Sequence, residues 1–358
     1  MSRKLRVIVI GCGNMGSSHA RSYHKLEGFD LVGLVDKFPA NREKLAQELG
    51  GVAQYDSLET ALTELKPDAA AICTYPDSHA ALARQCVAAG LHLFVEKPVA
   101  TTVAEAEEIV ELARSHGRKL VVGYILRQHP AWMKFIEIAQ SLGKPLVMRM
   151  NLNQQSSGYM WNSHKGLMRS MSPIVDCGVH YVDVMCQMTR SKPVKIHAIG
   201  ARLSSEIAEN MYNYGQLQVQ FEDGSVGWYE AGWGPMMSEQ AFFVKDVVGP
   251  KGCVSIVKSR NGEEGGASDD IDSHSKTNCL QLHHAELDAE GKFAKEDEWI
   301  DTHDEPGHQE LCDREQAYLQ KAIEEDLDLT DHWQDAINSL RIVLAADQSA
   351  RTGEVVKL

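Results

Sequence analysis

Short apolar runs alternate with amphipathic segments over the first third of the chain, from Lys4 to Tyr124. The first four runs, RVIVI, LVGLV, AAAIC and LHLFV, each lead into a segment with helical periodicity, and KLVVGY ends the series. This alternation predicts a parallel sheet covered by helices on both faces. Ligands of such sheets bind beside the carboxyl ends of the strands. The polar residues that follow each run are therefore the first candidates for a site.

After Arg127 the pattern changes. Helices are predicted at 131–140 and around 176–188, and alternating strands follow, as in GQLQVQFEDGSVGWYEAGW and EQAFFVKDVVGPKGCVSIV. Adjacent strands with tight turns predict an open, mostly antiparallel sheet. A last amphipathic helix is predicted from Asp331 to Ala350, with Thr330 as its N-cap.

The length of 358 residues predicts two domains, since single cores stop growing at about 250–300 residues. We predict an α/β fold in which residues 1–126 form a doubly wound parallel sheet. Residues 127–358 are predicted to form an α+β domain with the large open sheet.

The net charge of −14 comes mostly from one segment, Gly262 to Glu310, which holds fifteen acidic residues against three lysines. We interpret this segment as a solvated surface excursion. An acidic surface repels a phosphate backbone, and the chain has no basic stripe interleaved with aromatic residues, so nucleic acid is not an expected partner.

The composition indicates a cytoplasmic protein without a membrane segment. No apolar run approaches the roughly 18–20 residues of a membrane helix, and MSRKLRVIVI passes into a strand-like run without a cleavage site. The eight cysteines include no C-x-x-C pair, which favours reduced, packed thiols. No metal site is predicted, because no compact ligand spacing occurs among His283, His284, His303, His308 and Cys312.

The first strand runs directly into Gly11-Cys12-Gly13-Asn14-Met15-Gly16 and a predicted helix, which is the context that the G-x-G-x-x-G pattern requires. Gly11 allows a sharp turn, Gly13 lets the backbone approach a pyrophosphate, and Gly16 lets the helix pack closely on the strand. The free N–H groups at the start of the helix complete an anion site.

Asp36 ends the second run, twenty residues after Gly16. A carboxylate there can accept both ribose hydroxyls of an adenosine and would repel a 2'-phosphate, so NAD is favoured over NADP. The neighbouring Lys37 works against this preference. A doubly wound domain that binds another ligand, or none, stays open at this point.

Polar residues also follow the third and fourth runs. The third is followed by Thr74, Tyr75 and His79, and the fourth by Glu96 and Lys97. The Lys97 ammonium could stabilise the alkoxide that forms at a substrate oxygen as hydride leaves. The alternative is an ordinary surface salt bridge made by Glu96.

Asp176-Cys177-Gly178-Val179-His180 provides a candidate base. The spacing of four predicts that the carboxylate and the imidazole lie on one face of a helix, and an imidazole, whose unperturbed pKa is about 6.5, can take a hydroxyl proton near neutrality. Asp183 follows three residues later. A metal-binding pair and a buried structural histidine are the alternatives.

Together these segments resemble the Gfo/Idh/MocA family of oxidoreductases over essentially the whole chain. The resemblance rests on VIGCGNMGSSHA, VDKFPANREKL, CTYPDSHAALA, VEKPVATTVAEAEEI, DCGVHYVDV, SARTGEVV and the segment with Gly123, Tyr124 and Arg127. It implies a Rossmann domain that binds NAD(P) and a C-terminal substrate domain whose open sheet forms a homodimer or homotetramer. It also implies redox chemistry at a secondary alcohol of a sugar, sugar derivative or cyclitol.

The resemblance also implies residue roles. Lys97 would polarise the reacting oxygen, His180 would be the acid/base and Asp176 would orient the substrate and the imidazole. Residues expected to touch the cofactor are Gly11, Gly13, Asn14, Met15, Asp36, Lys37, Cys73, Thr74, Tyr75, His79, Glu96, Lys97 and Arg127. Residues expected to touch the substrate are Lys97, Tyr124, Trp161, Asp176 and His180.

Two departures from the family pattern border the expected pocket. Tyr75 separates Thr74 from Pro76 where members often have T-P, and Ser170-Met171-Ser172-Pro173 stands where they often have a glycine pair. The segment before that loop offers further candidate substrate contacts, for which ordinary loop residues are the alternative: Trp161, His164, Lys165 and Arg169.

The leading hypothesis is an NAD-dependent dehydrogenase acting on a small-molecule sugar, glycoside or cyclitol. The same motifs fit a glycoside hydrolase that oxidises C3 transiently, eliminates the aglycone and regenerates NAD. A non-enzymatic NAD-binding sensor is the third possibility, although it would not need an acid/base pair. The exact substrate, the direction of the reaction and the oligomer size do not follow from the sequence.

Overall fold

The computed structural model of the chain describes residues 3–238, 244–257 and 275–358. Contacts along the backbone divide the chain into two units. The first is Met1–Ile125 with Gly307–Ile337, and the second is Leu126–Pro306 with Asn338–Leu358. Within the described ranges, no helix combines the length and the apolar character that a membrane span needs.

A parallel sheet forms the centre of the first unit. Its strands are β1 (Leu5–Ile10), β2 (Phe29–Val35), β3 (Gln54–Tyr55), β4 (Ala69–Ile72), β5 (His92–Val95) and β6 (Leu120–Val122). The helices between them are α1 (Asn14–Lys25), α2 (Pro39–Glu48), α3 (Leu58–Leu65), α4 (His79–Ala88) and α5 (Val103–Ser115). The strand order β3-β2-β1-β4-β5-β6 is that of dinucleotide-binding doubly wound sheets, which confirms the predicted fold class here.

The register of this sheet brings the loops that follow four strands to one edge. Ile10, the last residue of β1, pairs with Val35 of β2 and with Ile72 of β4, and Ile72 pairs with Val95 of β5. The central strands are buried on both faces because helices cover the sheet on each side. The polar residues after β1, β2, β4 and β5 therefore begin at the same level.

The structure also includes α10 (His308–Glu324) in the first unit, whereas the sequence prediction places a single domain boundary after residue 126. This helix packs against α1, where Asp313 accepts hydrogen bonds from Ser22 (2.7 Å) and Lys25 (2.6 Å). These contacts join positions almost 300 residues apart, so no local pattern predicts them.

The last helix, α11 (Thr330–Thr352), confirms the predicted C-terminal helix but not its cap. Thr330 is the first helical residue, and its N–H donates to the Asp328 carboxylate at 2.9 Å. An aspartate just before a helix accepts such bonds readily. Asp328 therefore accepts the N–H of the first helical residue, and Leu329, whose carbonyl accepts the Trp333 N–H at 2.9 Å, stands at the N-cap position predicted for Thr330.

The described residues of the second unit form a nine-stranded sheet in the order β14-β13-β12-β11-β7-β10-β9-β8-β15, with β7 (Val147–Gln155), β8 (Pro193–Ala201), β9 (Tyr214–Phe221), β10 (Val226–Gly234), β11 (Lys245–Gly249), β12 (Gly252–Val257), β13 (Cys279–His284), β14 (Glu298–Asp301) and β15 (Val356–Lys357). Strands β7 and β10 are parallel, and the other neighbours are antiparallel. The unit also contains α6 (Pro130–Ser141), α7 (Gly158–Leu167), α8 (Pro173–Asp176) and α9 (Gly178–Thr189). The predicted open, mostly antiparallel sheet is confirmed.

Four of these strands were not predicted: β7, β13, β14 and the two-residue β15. Strand β7 lies between β11 and β10, but its sequence VMRMNLNQQ contains methionine, asparagine and glutamine in place of typical strand formers. Strands β13 and β14 fall inside the acidic segment Gly262–Glu310, which was interpreted as a surface excursion. Residues 285–299 are exposed, as that interpretation expects, whereas the first two residues of β13 are buried. Residues 262–274 of the segment, and residues 239–243 of a predicted strand, lie outside the described residues.

Candidate functional site

The glycine turn between β1 and α1 has two tightly packed glycines and one open one. Gly11 has φ +90°, and a Cβ on it would lie 2.7 Å from the Cys73 carbonyl oxygen. A Cβ on Gly16 would lie 1.8 Å from the Gly11 carbonyl oxygen. A Cβ on Gly13 would meet no protein atom within 4 Å. Gly11 and Gly16 therefore build the turn, and Gly13 leaves space above it.

Helix α1 starts directly at that open space. Gly13 is its N-cap, no side chain caps the helix and its first turn contains no acidic residue. Asn14 is exposed and Met15 is half-buried in that turn. The first N–H groups of a helix lack intrahelical acceptors and attract anions, so this end fits a phosphate group.

Asp36 lies one residue beyond β2 with its carboxylate directed at the glycine turn. Its Oδ2 accepts the Cys12 N–H at 2.7 Å, and its Oδ1 accepts the Phe38 N–H at 2.8 Å. Lys37 is exposed, and its Nζ lies 5.2 Å from the centre of the Phe38 ring. The arrangement holds a carboxylate beside the open face of the turn.

The loops that follow β4 and β5 are linked by the ring of His79. Its Nδ1 lies 2.9 Å from the Pro98 carbonyl oxygen, and its Nε2 lies 3.0 Å from the Thr74 carbonyl oxygen. Burial lowers the pKa of His79, although both carbonyl contacts act in the opposite direction. The side chain is wholly buried, whereas Tyr75 in the same loop is 71% exposed. His79 thus connects two loops, and its predicted cofactor contact stays a prediction.

The cysteines near the turn are packed thiols. Burial raises the pKa of Cys12 to about 12 and raises the pKa of Cys73 well above its usual value. All eight cysteines of the chain lie among the described residues and are free. This agrees with the predicted reduced, packed thiols.

Glu96 and Lys97 follow β5 at the same edge of the sheet. Glu96 is buried, and its carboxylate contacts His19 Nε2 at 2.7 Å and accepts the Lys97 N–H at 3.1 Å. Burial opposes ionisation of Glu96, but the His19 hydrogen bond and the Lys97 charge outweigh it, so the pKa of Glu96 lies below its usual value. Lys97 is half-buried. The alternative considered for this segment, an ordinary surface salt bridge of Glu96, does not fit, because both Glu96 and its partner His19 are buried.

The segment after β6 places its two predicted site residues in different surroundings. Tyr124 is 1% exposed and belongs to the first unit. Arg127, in the second unit, donates to both carboxylate oxygens of Asp183 at 2.8 and 2.6 Å. Burial raises the pKa of Asp183 while Arg127 opposes that shift. This ion pair fixes Arg127 to α9, and its predicted cofactor contact stays a prediction.

The D-C-G-V-H segment spans two short helices instead of one. Asp176 ends α8, and α9 begins at Gly178. The His180 N–H donates to the Cys177 carbonyl at 3.2 Å, a tighter i to i−3 bond than those of a continuous α-helix. The prediction of a single helix is corrected at this junction. Asp176 and His180 are both half-buried.

Side chains from β7 and β10 support this junction. A Cβ on Gly178 would lie 2.9 Å from Cε1 of Tyr229, which explains the glycine. Gln154 Oε1 accepts the Trp233 indole N–H at 2.7 Å and lies 3.6 Å from Cys177 Sγ. Sequence reasoning missed these three residues of β7 and β10, although the inward positions of β10 alternate in the sequence as expected of a strand.

Two family models match the sequence of this chain, one in each unit. Residues 5–124 match the family described as the Gfo/Idh/MocA oxidoreductase family with an NAD-binding Rossmann fold. Residues 136–254 match the GFO/IDH/MocA C-terminal domain. The chain belongs to the Gfo/Idh/MocA family. Its first unit carries the NAD-binding Rossmann domain of that family, as the sequence resemblance implied.

Relatives of this Gfo/Idh/MocA protein include several dehydrogenases. A UDP-N-acetylglucosamine 3-dehydrogenase of Acidithiobacillus ferrooxidans is 27% identical over 57% of this chain, and the match spans 61% of the relative's length. A scyllo-inositol 2-dehydrogenase (NAD(+)) of Bacillus subtilis is 25% identical over 82% of this chain and 88% of its own. The structure of myo-inositol 2-dehydrogenase from Lactobacillus plantarum covers 99% of this chain and 100% of its own with a TM-score of 0.78 and 21% identity, which shows the shared fold.

The predicted substrate contacts before the D-C-G-V-H segment lie on and just after α7, a helix that was not predicted. Trp161 is buried in an apolar cluster with Met168 and Trp233, and its indole N–H donates to Glu206 at 3.1 Å. The other three residues vary in exposure and partners. Lys165 is half-buried and pairs with Glu206, His164 is buried and stacks on Trp233, and Arg169 is exposed. The substrate contact of Trp161 stays a prediction.

The histidines of the acidic segment that the structure describes, His283, His284, His303 and His308, each have a nearby carboxylate or thiol. His284 of β13 contacts Glu298 of β14 at 2.7 Å, and His283 contacts Asp297, the residue before β14, at 2.8 Å. Each of these two histidines thus has a carboxylate partner. Among the described residues, the His, Cys, Asp and Glu side chains with metal-compatible spacing are His19, Cys312 and Glu315.

Proposed function

We propose that this chain is an NAD-dependent dehydrogenase that oxidises a ring secondary hydroxyl of a sugar, sugar derivative or cyclitol. One observation carries the proposal: Lys97 follows the buried Glu96 at the sheet edge where the glycine turn also lies. A cation held there by the backbone can polarise an oxygen beside a bound dinucleotide.

The residues of the first unit fit NAD. The space above Gly13 and the uncapped start of α1 suit a pyrophosphate. The Asp36 carboxylate, held by the Cys12 N–H, suits ribose hydroxyls and disfavours a 2'-phosphate. When bound, NAD would supply the acceptor for a hydride.

Three side chains of the chain would do the remaining chemistry. The Lys97 ammonium would donate a hydrogen bond to the reacting oxygen and stabilise its developing negative charge. His180 would take the hydroxyl proton as the carbon loses hydride, so the alcohol becomes a ketone. Asp176, four residues before His180 in the sequence, would orient the substrate and the imidazole.

The substrate class follows from the relatives. The names of several of them refer to inositols, a glucoside or a nucleotide sugar, all of which carry ring secondary hydroxyls. We extend this class, and no single member of it, to the present chain.

We also propose that the protein is cytoplasmic and assembles as a homodimer or homotetramer through the second sheet. Its eight free thiols suit a reducing compartment. One face of the sheet carries a shallow groove of about 600 Å³ that includes Val147, Val226 and Trp228, and Val147 and Val226 are exposed. Apolar side chains on an open sheet suit contact with a second copy. Light scattering of the purified protein would show the assembly.

The decisive experiment incubates the purified full chain with NAD, then with NADP, against free sugars, inositols, UDP-N-acetylglucosamine and aryl glycosides. Reduced nicotinamide and released aglycone are both followed. We expect NADH formation with at least one cyclitol or sugar and a lower rate with NADP.

Other outcomes would contradict the proposal. Aglycone release without net NADH would identify the glycoside hydrolase reaction instead. Tight NAD binding without turnover of any alcohol or ketone would identify a sensor.

A further inference from the structure

A chain of buried side chains lies beneath Lys97 in the first unit. It runs from Tyr23 on α1 to Gln316 on α10, from Gln316 to His19 on α1, and from His19 to Glu96, which follows β5. All four side chains are buried, and three of them are fully excluded from solvent. The cofactor residues predicted from sequence include only the last of them.

The hydrogen bonds of this chain have one consistent direction. The Tyr23 hydroxyl donates to Gln316 Oε1, and Gln316 Nε2 donates to His19 Nδ1 at 2.9 Å. An amide nitrogen only donates, so this orientation of the Gln316 amide assigns the acceptor role to His19 Nδ1 and the ring proton to Nε2. That proton is donated to Glu96 Oε1 at 2.7 Å. Burial raises the pKa of Tyr23 well above its usual value, which keeps its hydroxyl a donor.

Glu96 connects this chain to Lys97. Its Oε1 accepts the hydrogen bond from His19 Nε2, and its Oε2 accepts the Lys97 N–H at 3.1 Å. The His19 ring also packs on Phe94 with the centroids 4.6 Å apart. Both oxygens of the carboxylate are therefore fixed, one by the helices and one by the backbone of Lys97.

Glu315, next to Gln316, has a different state. Burial, followed by the charge of Glu96, raises the pKa of Glu315 well above its usual value, which favours the neutral form of this side chain. Its Oε1 has no hydrogen-bond partner among the described residues. Glu315 is thus buried in the same place without belonging to the chain of hydrogen bonds.

The same cluster could be considered as a metal site, since ligand atoms of His19, Cys312 and Glu315 lie within 4.8 Å of one another. A cation on His19 would have to displace either the Glu96 or the Gln316 hydrogen bond. Burial also raises the pKa of the Cys312 thiol, which disfavours the thiolate that a metal needs. The hydrogen-bonded chain explains the arrangement without a metal.

We propose that His19, Gln316 and Tyr23 are positioning residues that hold Glu96, and through it Lys97, in the orientation that the reaction requires. This inference rests on the proposed function. A tautomer fixed by a second hydrogen bond is a common way to orient an imidazole, and small displacements of an oriented group reduce the rate strongly.

Two variants break the chain and one restores it. His19→Phe keeps a ring but removes the donor to Glu96, and Gln316→Leu removes the amide that fixes the tautomer. We expect each to lower kcat about 10- to 100-fold, with the Kd for NAD changed less than about twofold. His19→Gln offers an amide donor to Glu96 and should recover most of kcat. Tyr23→Phe, which removes only the far end of the chain, should cost a few-fold.

Glu315→Gln is the matched control, because it replaces a buried carboxyl group beside Gln316, whose Oε1 has no hydrogen-bond partner among the described residues, with an isosteric amide. It should leave kcat unchanged. A packing effect would lower the thermal midpoint of His19→Phe and His19→Gln alike without recovery of kcat. That result would overturn the inference and leave the proposed function intact. Full activity of His19→Phe and Gln316→Leu, with Lys97→Met inactive, would do the same.

Two readouts do not use turnover. In protein labelled with ¹⁵N-histidine, the resonances that His19→Gln removes should show a protonated Nε2 and an unprotonated Nδ1, and Gln316→Leu should change them. Stoichiometric zinc in the purified protein, or a protonated Nδ1, would overturn the inference. Absence of turnover in the wild type on every substrate tested would overturn the proposed function and this inference together, even with the expected tautomer.

Discussion

Each unit contains a motif glycine that has no room for a side chain, but the obstacles differ. A Cβ on Gly16 would collide with the backbone of Gly11, within the same turn. A Cβ on Gly178 would collide with the ring of Tyr229, on β10. The first obstacle is set by neighbouring residues, so the G-x-G-x-x-G spacing predicts it. The second depends on which strand packs beneath the helix, and no spacing reveals that.

The proposed catalytic groups, in contrast, are both supported by residues that are distant along the chain. Lys97 follows Glu96, whose carboxylate is fixed on both oxygens within the first unit. His180 lies at the start of α9, and the junction before it contacts Gln154 and Tyr229 from two strands. His19 and Glu96 are 77 positions apart in the sequence, and Gln154 and Cys177 are 23 positions apart, so no local pattern predicts either support.

The largest effects should come from removing these groups themselves. Lys97→Met removes the cation and His180→Ala removes the proton acceptor, so each should lower kcat by about 10²- to 10⁴-fold. The Kd for NAD, measured by fluorescence titration, should stay within about twofold. Lys134→Met, which breaks an exposed pair with Glu137, is the control and should be active. Near-full activity of either variant would show that the roles are assigned wrongly.

The glycine turn allows a sharper test, because its glycines should fail in different ways. Gly16→Ala should destabilise the protein by about 1–3 kcal/mol, as overpacking does, because its Cβ would lie 1.8 Å from a backbone oxygen. Gly13→Ala meets no protein atom and should keep its stability within about 0.5 kcal/mol. Its methyl group would instead fill the space meant for pyrophosphate.

Gly13→Ala should therefore weaken NAD binding about tenfold or more, equivalent to about 1.4 kcal/mol. Urea unfolding and NAD titration on the same two variants separate the effects. Equal loss of stability in both variants would mean that Gly13 is also a packing residue. Unchanged NAD affinity of Gly13→Ala would place the pyrophosphate elsewhere.

Sequence reasoning succeeded where partners are close along the chain. The parallel sheet, the glycine turn and Asp36 follow from βα units in which each strand is read with the helix after it, and the structure confirms the predicted sheet. It failed for α10, whose Asp313 is tied to Ser22 and Lys25 of α1. No local pattern encodes a contact between the two ends of a chain.

The second sheet shows the other limit. Strand β7 places Gln154 at the D-C-G-V-H junction. Its methionine, asparagine and glutamine residues do not predict a strand, and it forms one because tertiary packing outweighs intrinsic propensity. The break between α8 and α9 was missed for a similar reason. A spacing of four is equally compatible with one helix and with two helices joined by a tight turn, and packing on Tyr229 accompanies the latter.

A double-mutant cycle tests that packing directly. Gly178→Ala should cost about 1–3 kcal/mol, because the Tyr229 ring must move from a Cβ at 2.9 Å. Tyr229→Ala alone should cost about 3–5 kcal/mol by leaving a cavity. The double variant should cost less than the sum, by about 1–2 kcal/mol in urea unfolding, because the cavity accepts the new methyl group.

Two controls define what that cycle measures. Gly166→Ala on α7 meets no atom within 4 Å and should be neutral or stabilise by up to about 1 kcal/mol, as alanine does in helices. Tyr229→Phe keeps the ring and removes a hydroxyl that lacks a hydrogen-bond partner among the described residues, so Gly178→Ala should stay costly in that background. Additive costs of Gly178→Ala and Tyr229→Ala would show that the α8–α9 turn itself requires Gly178. The contrast with Gly16 would then disappear, since both glycines would serve local backbone geometry.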